Sequence, residues 1–133
     1  MRLLLDTCSL LWALQQPRKL TAQARICLED PDNSVHVSSL SFWEISLKAS
    51  MGKLAIQGAE PEEFPGFVGE AGWSILPFSP ETAASFARLP RSGAHKDPFD
   101  RMLIWTAIRE GLTLVSRDRA LPDYESFGLR LCR

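Results

Sequence analysis

At 133 residues, with 45% hydrophobic and 23% charged residues, the chain has the composition of one ordinary globular domain, spanning residues 1–133 and able to bury a sizeable core. A net charge of −1 excludes a globally basic nucleic-acid binder, so an anionic partner has to be held by a local patch or through metal ions. Three widely spaced cysteines without a C-x-x-C exclude a disulfide framework and suit a reducing cytoplasm, and no apolar run is long enough to span a bilayer.

The opening "RLLLD", Arg2 to Asp6, reads as a short apolar strand. It lacks the multi-basic start and small-residue cleavage site of a signal peptide, and Asp6 interrupts it. "LLWALQQ" continues as a helix that Pro17 ends, with Thr7 and Ser9 as candidate caps. Thr21 caps a second helix, "AQARICLED", which "PDN" breaks. "SVHVSS", Ser34 to Ser39, is a second strand, with His36 in a structural position. It leads into the helix "SFWEISLKASMGKL", with a Gly52 stop and a helical Glu44–Lys48 salt bridge.

"GAEPEEFPGF" is a loop or short helix, "WSILPF" a third strand, and "PETAASFARL" a helix with Pro80 near its first turn. "PRSGAHK" is a loop. "DPFDRMLIWTAIREG" begins with Asp97 as N-cap and Pro98 as the first helical residue. "LTLVS", Leu112 to Ser116, is a fourth strand, and "LRLC" a short fifth. Strands alternating with helices imply an α/β fold: a three-layer α/β/α sandwich with a central four- to five-stranded parallel sheet. In such sheets the reactive crevice lies beyond the carboxyl ends of the strands.

Four acids fall there: Asp6 ends the first strand, Glu44 and Asp100 sit in the first turns of helices, and Asp118 follows the fourth strand. Each alone has a structural explanation. Ser41 with Glu44 matches a capping box, Asp100 complements a helix dipole, and Asp6 and Asp118 are placed to cap the helices after them. Together they are expensive. At about 5 Å and an effective dielectric near 20, one carboxylate pair repels by roughly 3 kcal/mol. Protonation or bound cations relieve such strain. Oxygen ligands with few histidines suit Mg²⁺ or Mn²⁺, and an acidic cluster holding such ions is the equipment of two-metal phosphodiester hydrolysis.

"LLLDTCSLLWAL", "VSSLSFWEISLKASMGKL", "HKDPFDRMLIWTA" and "LTLVSRDRALPDY" resemble, in order and over nearly the whole chain, the PIN-domain ribonucleases, specifically VapC-type toxins of type II toxin–antitoxin systems. The resemblance implies a PIN-like sandwich and an Mg²⁺- or Mn²⁺-dependent endoribonuclease cutting structured RNA, often tRNA or rRNA, in a single-stranded loop. It also implies a homodimer neutralised by a small VapB-type antitoxin. By position, Asp6, Glu44, Asp100 and Asp118 match the family's acids, and Ser116 its small hydroxyl residue near the metal. Cys8 stands where many relatives have histidine, and Trp105 where they often have alanine. Asp97 is left open between a pure N-cap and a supporting acid beside the site. His95, Lys96, Arg101, Arg117 and Arg119 flank the acids and are candidates to position RNA phosphates. Trp12, Phe42 and Trp43 fit a core or a dimer interface.

A non-catalytic PIN-like RNA- or protein-binding module is the principal alternative, and retention of all four acids counts against it. An aspartyl phosphatase calls for a second acid where Cys8 stands, and a receiver domain for adjacent acids after the first strand.

Overall fold

The computed structural model describes residues 1–133, and its centre is the strand that the opening leucines form. β1 (Arg2–Leu5) lies between β2 (Ser34–Ser38) and β4 (Thr113–Val115), with β3 (Ser74–Leu76) and β5 (Arg130–Cys132) at the edges. The order is β3-β2-β1-β4-β5 and every pairing is parallel. Leu3, Leu4 and Leu5 are all fully buried: Leu3 and Leu5 point into one core and Leu4 into the other. A strand covered on both faces needs such a continuous apolar run.

On the first face, α1 (Thr7–Gln15), α2 (Ala22–Glu29) and α4 (Phe64–Glu70) contribute Leu10, Ala24, Cys27, Phe64 and Val68. The second core is filled mainly by α6 (Pro98–Glu110), through Leu103, Ile104, Trp105 and Ala107, and by a 3₁₀ segment, Leu121–Phe127, through Leu121 and Tyr124. Trp105 also donates its indole N–H to Ser85 Oγ at 3.1 Å, fastening α5 (Pro80–Ser85) to α6. Its bulk is thus spent on helix packing. α3 (Ser39–Ser50) sends Leu40 into the second core and Ile45 into the first, so it serves both. The result is the expected three-layer sandwich.

Local signals place most boundaries. Thr21 caps α2 by accepting from Ala24 N–H at 3.0 Å, and Gly111 ends α6 in the left-handed conformation, at φ 67°. The "GAEPEEFPGF" stretch resolves into a 3₁₀ turn, Pro61–Glu63, followed by α4. One capping assignment is corrected. Ser38, not Ser41, caps α3, accepting from Leu40 N–H at 3.1 Å. Ser41 is already helical and fully buried, and Glu44 lies in the second turn rather than the first. The helix starts earlier because Ser38 leaves β2 with its hydroxyl free to accept the first helical N–H.

No helix is long and apolar enough to cross a membrane.

Candidate active site

The chain runs from β1 outward to β2 and β3, then returns to the other side of β1 as β4. The strand order therefore reverses between β1 and β4, and the connections leaving those two strands diverge to leave a crevice. Asp6 stands at the end of β1. Its N–H reaches Val115 O at 3.1 Å, and its Oδ1 caps α1 by accepting from Ser9 N–H at 2.7 Å. Asp6, not Thr7 or Ser9, is thus the cap. Burial raises the Asp6 pKa, hydrogen bonds from Ser116 and Ser9 oppose that rise, and the Glu44 charge adds to it.

Glu44 is 3% exposed. Thr7 donates its hydroxyl to Glu44 Oε1 at 2.5 Å, with Ser41 Oγ 3.1 Å from the same hydroxyl. Lys48, one turn on, pairs with Glu44 Oε2. Burial works against the Lys48 ammonium, but its bond to Glu44 and the charges of Glu44, Asp97 and Asp100 prevail and raise its pKa.

Asp97 caps α6, its Oδ1 accepting from the N–H groups of Phe99 at 2.9 Å and Asp100 at 3.0 Å. Asp100 occupies the first turn of α6. Its pKa is pushed up to about 6, first by burial and then by the charges of Asp97, Glu44, Asp6 and Asp118. The other acids at the sheet's edge all act on this one carboxylate.

Asp118 hangs from the end of β4. Its N–H donates to Ser116 Oγ at 3.2 Å and its Oδ1 accepts from Ala120 N–H at 2.9 Å. It turns the chain toward the 3₁₀ segment, not into an α-helix. Buried Ser116 therefore touches both Asp6 and Asp118.

Two groups of side chains bring one ligand atom each within 4.8 Å of one another: Glu44, Asp97 and Asp100, and His95, Asp100 and Asp118. Asp100 belongs to both. The donors are predominantly carboxylate oxygens, and their charge is incompletely balanced by Lys48. That chemistry fits a hard divalent cation. Asp97, which the sequence leaves open between a cap and a supporting acid, lies within the cluster while capping α6.

The model of the PIN-domain family matches residues 3–126. The chain belongs to the PIN-domain family. It is 31% identical over 126 residues to Ribonuclease VapC22 of Mycobacterium tuberculosis, covering 91% of this chain and 90% of that protein. The fold is shared with VapBC2 from Rickettsia felis bound to a promoter DNA fragment, at a TM-score of 0.66, 17% identity, and 98% and 97% coverage of the two chains. It is shared likewise with DNA-bound VapBC from Salmonella typhimurium, at a TM-score of 0.64, 21% identity, and 98% and 96% coverage.

Within this PIN domain, the cations flanking the acids divide. Arg101 donates to Leu89 O at 3.1 Å and Pro90 O at 3.0 Å, lies 5.2 Å from the Phe86 ring centroid and reaches the Tyr124 hydroxyl at 3.4 Å. Arg117 donates to Lys19 O at 2.9 Å and lies over Trp12. Both guanidinium groups brace loops through these contacts. Lys96 and Arg119 are exposed and unbonded. Arg91, which the sequence did not single out, joins Gly93, His95, Lys96 and Arg101 around a polar cleft of about 350 Å³ beside the acids.

Cys8 is exposed, and its thiol is pushed up to about 11, by burial of the sulfur's surroundings and the charges of Asp6, Asp100 and Glu44. A thiol so disfavoured as thiolate is a poor nucleophile.

Two supporting residues escaped the sequence. Thr7 holds Glu44, and fully buried Tyr124 bonds His95 Nδ1 at 3.0 Å. Both contacts join segments distant in sequence, so no local pattern announces them.

Proposed function

We propose that this PIN domain is a divalent-metal-dependent endoribonuclease, the toxin of a VapBC-type toxin–antitoxin pair. The observation that carries the reading is Asp100, whose carboxylate is loaded by Asp6, Glu44, Asp97 and Asp118 together. Protonation relieves that charge only below about pH 6, and at neutral pH a bound cation is what discharges it.

In this reading Asp6, Glu44, Asp100 and Asp118 hold Mg²⁺, with Mn²⁺ able to substitute. A divalent ion there supplies a nucleophilic water near neutral pH and charge for the departing oxygen. Ser116 bonds the Asp6 carboxylate and the Asp118 backbone N–H, tying the ends of β1 and β4 together. Thr7 keeps Glu44 aimed into the crevice and Lys48 partly neutralises it. Lys96, Arg119 and Arg91 are the cations free to orient RNA phosphates, and the polar cleft next to His95 is where the backbone would run. No side chain is placed to act as a covalent nucleophile. The RNA class, tRNA or rRNA loops, comes from the family resemblance.

The likeness to VapBC complexes supports a VapB-type antitoxin as partner; the homodimer comes from the family resemblance. An apolar groove lined by Leu40, Trp43, Leu47, Phe78, Phe99 and Met102 supports burial of this surface by another protein chain. Trp43 in it is 59% exposed, and its ring packs edge-on against Phe99 at 5.2 Å.

The test is incubation of purified, antitoxin-free protein with total tRNA and rRNA, in Mg²⁺, in Mn²⁺ and in EDTA, with sequencing of new 5′ ends. Discrete cuts that require metal and vanish in a folded Asp6→Asn variant are expected. RNA binding without any metal-dependent cut would establish the non-catalytic module instead.

A further inference from the structure

His95 Nε2 is the sole buried side-chain nitrogen or oxygen in the protein without a hydrogen-bond partner. It is aimed between two carboxylates, 3.6 Å from Asp100 Oδ2 and 3.9 Å from Asp118 Oδ2. A charge-assisted hydrogen bond to either would close to about 2.7–2.9 Å. Neither has closed, although the imidazole is held firmly on its other edge. Nδ1 lies 3.0 Å from the Tyr124 hydroxyl, and the two rings pack edge to face at 5.6 Å. Tyr124 is itself fully buried and bonded by Arg101 Nε at 3.4 Å.

The spacing around Nε2 is that of ligands around a gap. Donors on an octahedral ion with bonds near 2.1 Å lie about 3.0 Å apart when adjacent and about 4.2 Å when opposite. The two His95 distances fall between these limits, so sub-ångström movements would place all three donors on one ion. The Tyr124 contact admits the tautomer that ligation requires: when Nδ1 carries the proton and donates it to the Tyr124 oxygen, the Nε2 lone pair faces the gap. A ligating histidine is ordinarily fixed through its second nitrogen in this way.

We propose that His95 Nε2, Asp100 and Asp118 form a mixed nitrogen–oxygen cation site at the Asp118 side of the crevice, selective for a first-row transition ion such as Mn²⁺ over Mg²⁺. The proposal rests on the metal-nuclease reading for its two carboxylates and adds the nitrogen donor. An imidazole among the ligands is what separates the two ions, because Mg²⁺ takes oxygen donors and Mn²⁺ accepts nitrogen as well. Tyr124 is the positioning residue, setting the ring's orientation, and Asp100 is shared with the all-oxygen group formed with Glu44 and Asp97.

The experiment uses the full-length, RNA-free protein and Mn²⁺ itself. Pulsed EPR of the wild-type complex should show a directly coordinated ¹⁴N, replaced by a ¹⁵N signature in protein grown on ¹⁵N-histidine. His36→Gln removes the other histidine and should leave the signal intact. His95→Gln should abolish it, lowering Mn²⁺ affinity about tenfold while changing Mg²⁺ affinity less than about threefold. Mn²⁺ bound by the wild type without nitrogen coupling would overturn the His95 assignment and leave the metal-nuclease reading standing. No Mn²⁺ binding at all would overturn both. The wild-type spectrum decides even if a variant fails to fold.

Discussion

Replacing Asp100 by asparagine should stabilise the metal-free protein while removing its response to metal. The Asp100 pKa stands at about 6 in the fold against 3.8 in the unfolded chain. That difference corresponds to about 3 kcal/mol at full weight. The side chain is 35% exposed, so solvent screening brings the net figure to about 1–2 kcal/mol. Because the folded pKa is raised, the contribution to stability is full below 3.8 and is lost as pH rises through about 6. In EDTA at pH 7.5, Asp100→Asn should therefore melt roughly 4–8 °C above the wild type. The gap should close as pH falls through 6.

Saturating Mn²⁺ or Mg²⁺ reverses the order. At about one hundred times Kd the wild type gains about 2.7 kcal/mol, and the variant gains little. Scanning calorimetry of both proteins across pH, with EDTA and with metal, provides the measurement. A variant less stable than wild type in EDTA at neutral pH would refute the argument that the acids strain one another and await a cation.

Three further outcomes follow from single contacts. Lys48→Met should leave Glu44 buried with only Thr7 as partner, costing about 1–2 kcal/mol in EDTA because Lys48 is half-buried. Urea melts should show that loss shrinking in Mn²⁺, and a loss unaffected by metal would mean that the Lys48 charge does not stand in for a cation. Cys8, with its thiol at about 11, should react slowly with iodoacetamide at pH 7.5, faster with each pH step toward 11, and faster again when Mg²⁺ neutralises the neighbouring acids. Equal rates with metal and with EDTA would separate Cys8 from the site. Finally, Cys27 and Cys132 place their sulfurs 3.1 Å apart, although the Cys132 thiol is pushed up to about 12 by burial and its bond to Cys27. Oxidised glutathione, accepting two electrons and the two thiol protons and leaving as two molecules of reduced glutathione, should link them slowly, leave Cys8 as the one remaining thiol, and add about 2–4 kcal/mol of stability. Mass mapping that finds Cys8 in the disulfide would contradict this pairing.

The sheet and most helices were legible from local patterns. "RLLLD" is apolar without alternation because β1 is covered on both faces. Thr21, Pro98 and Gly111 mark helix ends through backbone preferences that act within a few residues. The four acids were legible because a parallel sheet delivers its strand ends to one edge, whatever the details of packing. The "DPFD" element was legible as a helix start, since Asp97 caps the helix whose first turn carries Asp100.

The sequence did not determine how those acids are supported. The cap of α3 shifted from Ser41 to Ser38 because the end of β2 decided which hydroxyl met the first free N–H. Arg101 and Arg117 meet the Leu89, Pro90 and Lys19 carbonyls only through folding, and no local pattern announces those partners. Asp97, His95, Tyr124 and Thr7 took their roles only when α3, α6 and the 3₁₀ segment met around the carboxyl ends of β1 and β4. Residue type and spacing fix what a helix or strand is, because those forces act over one or two turns. Which carboxylate is strained, and which nitrogen is left facing a gap, depends on separations of a few ångströms between residues tens of positions apart, and only the packed core sets those.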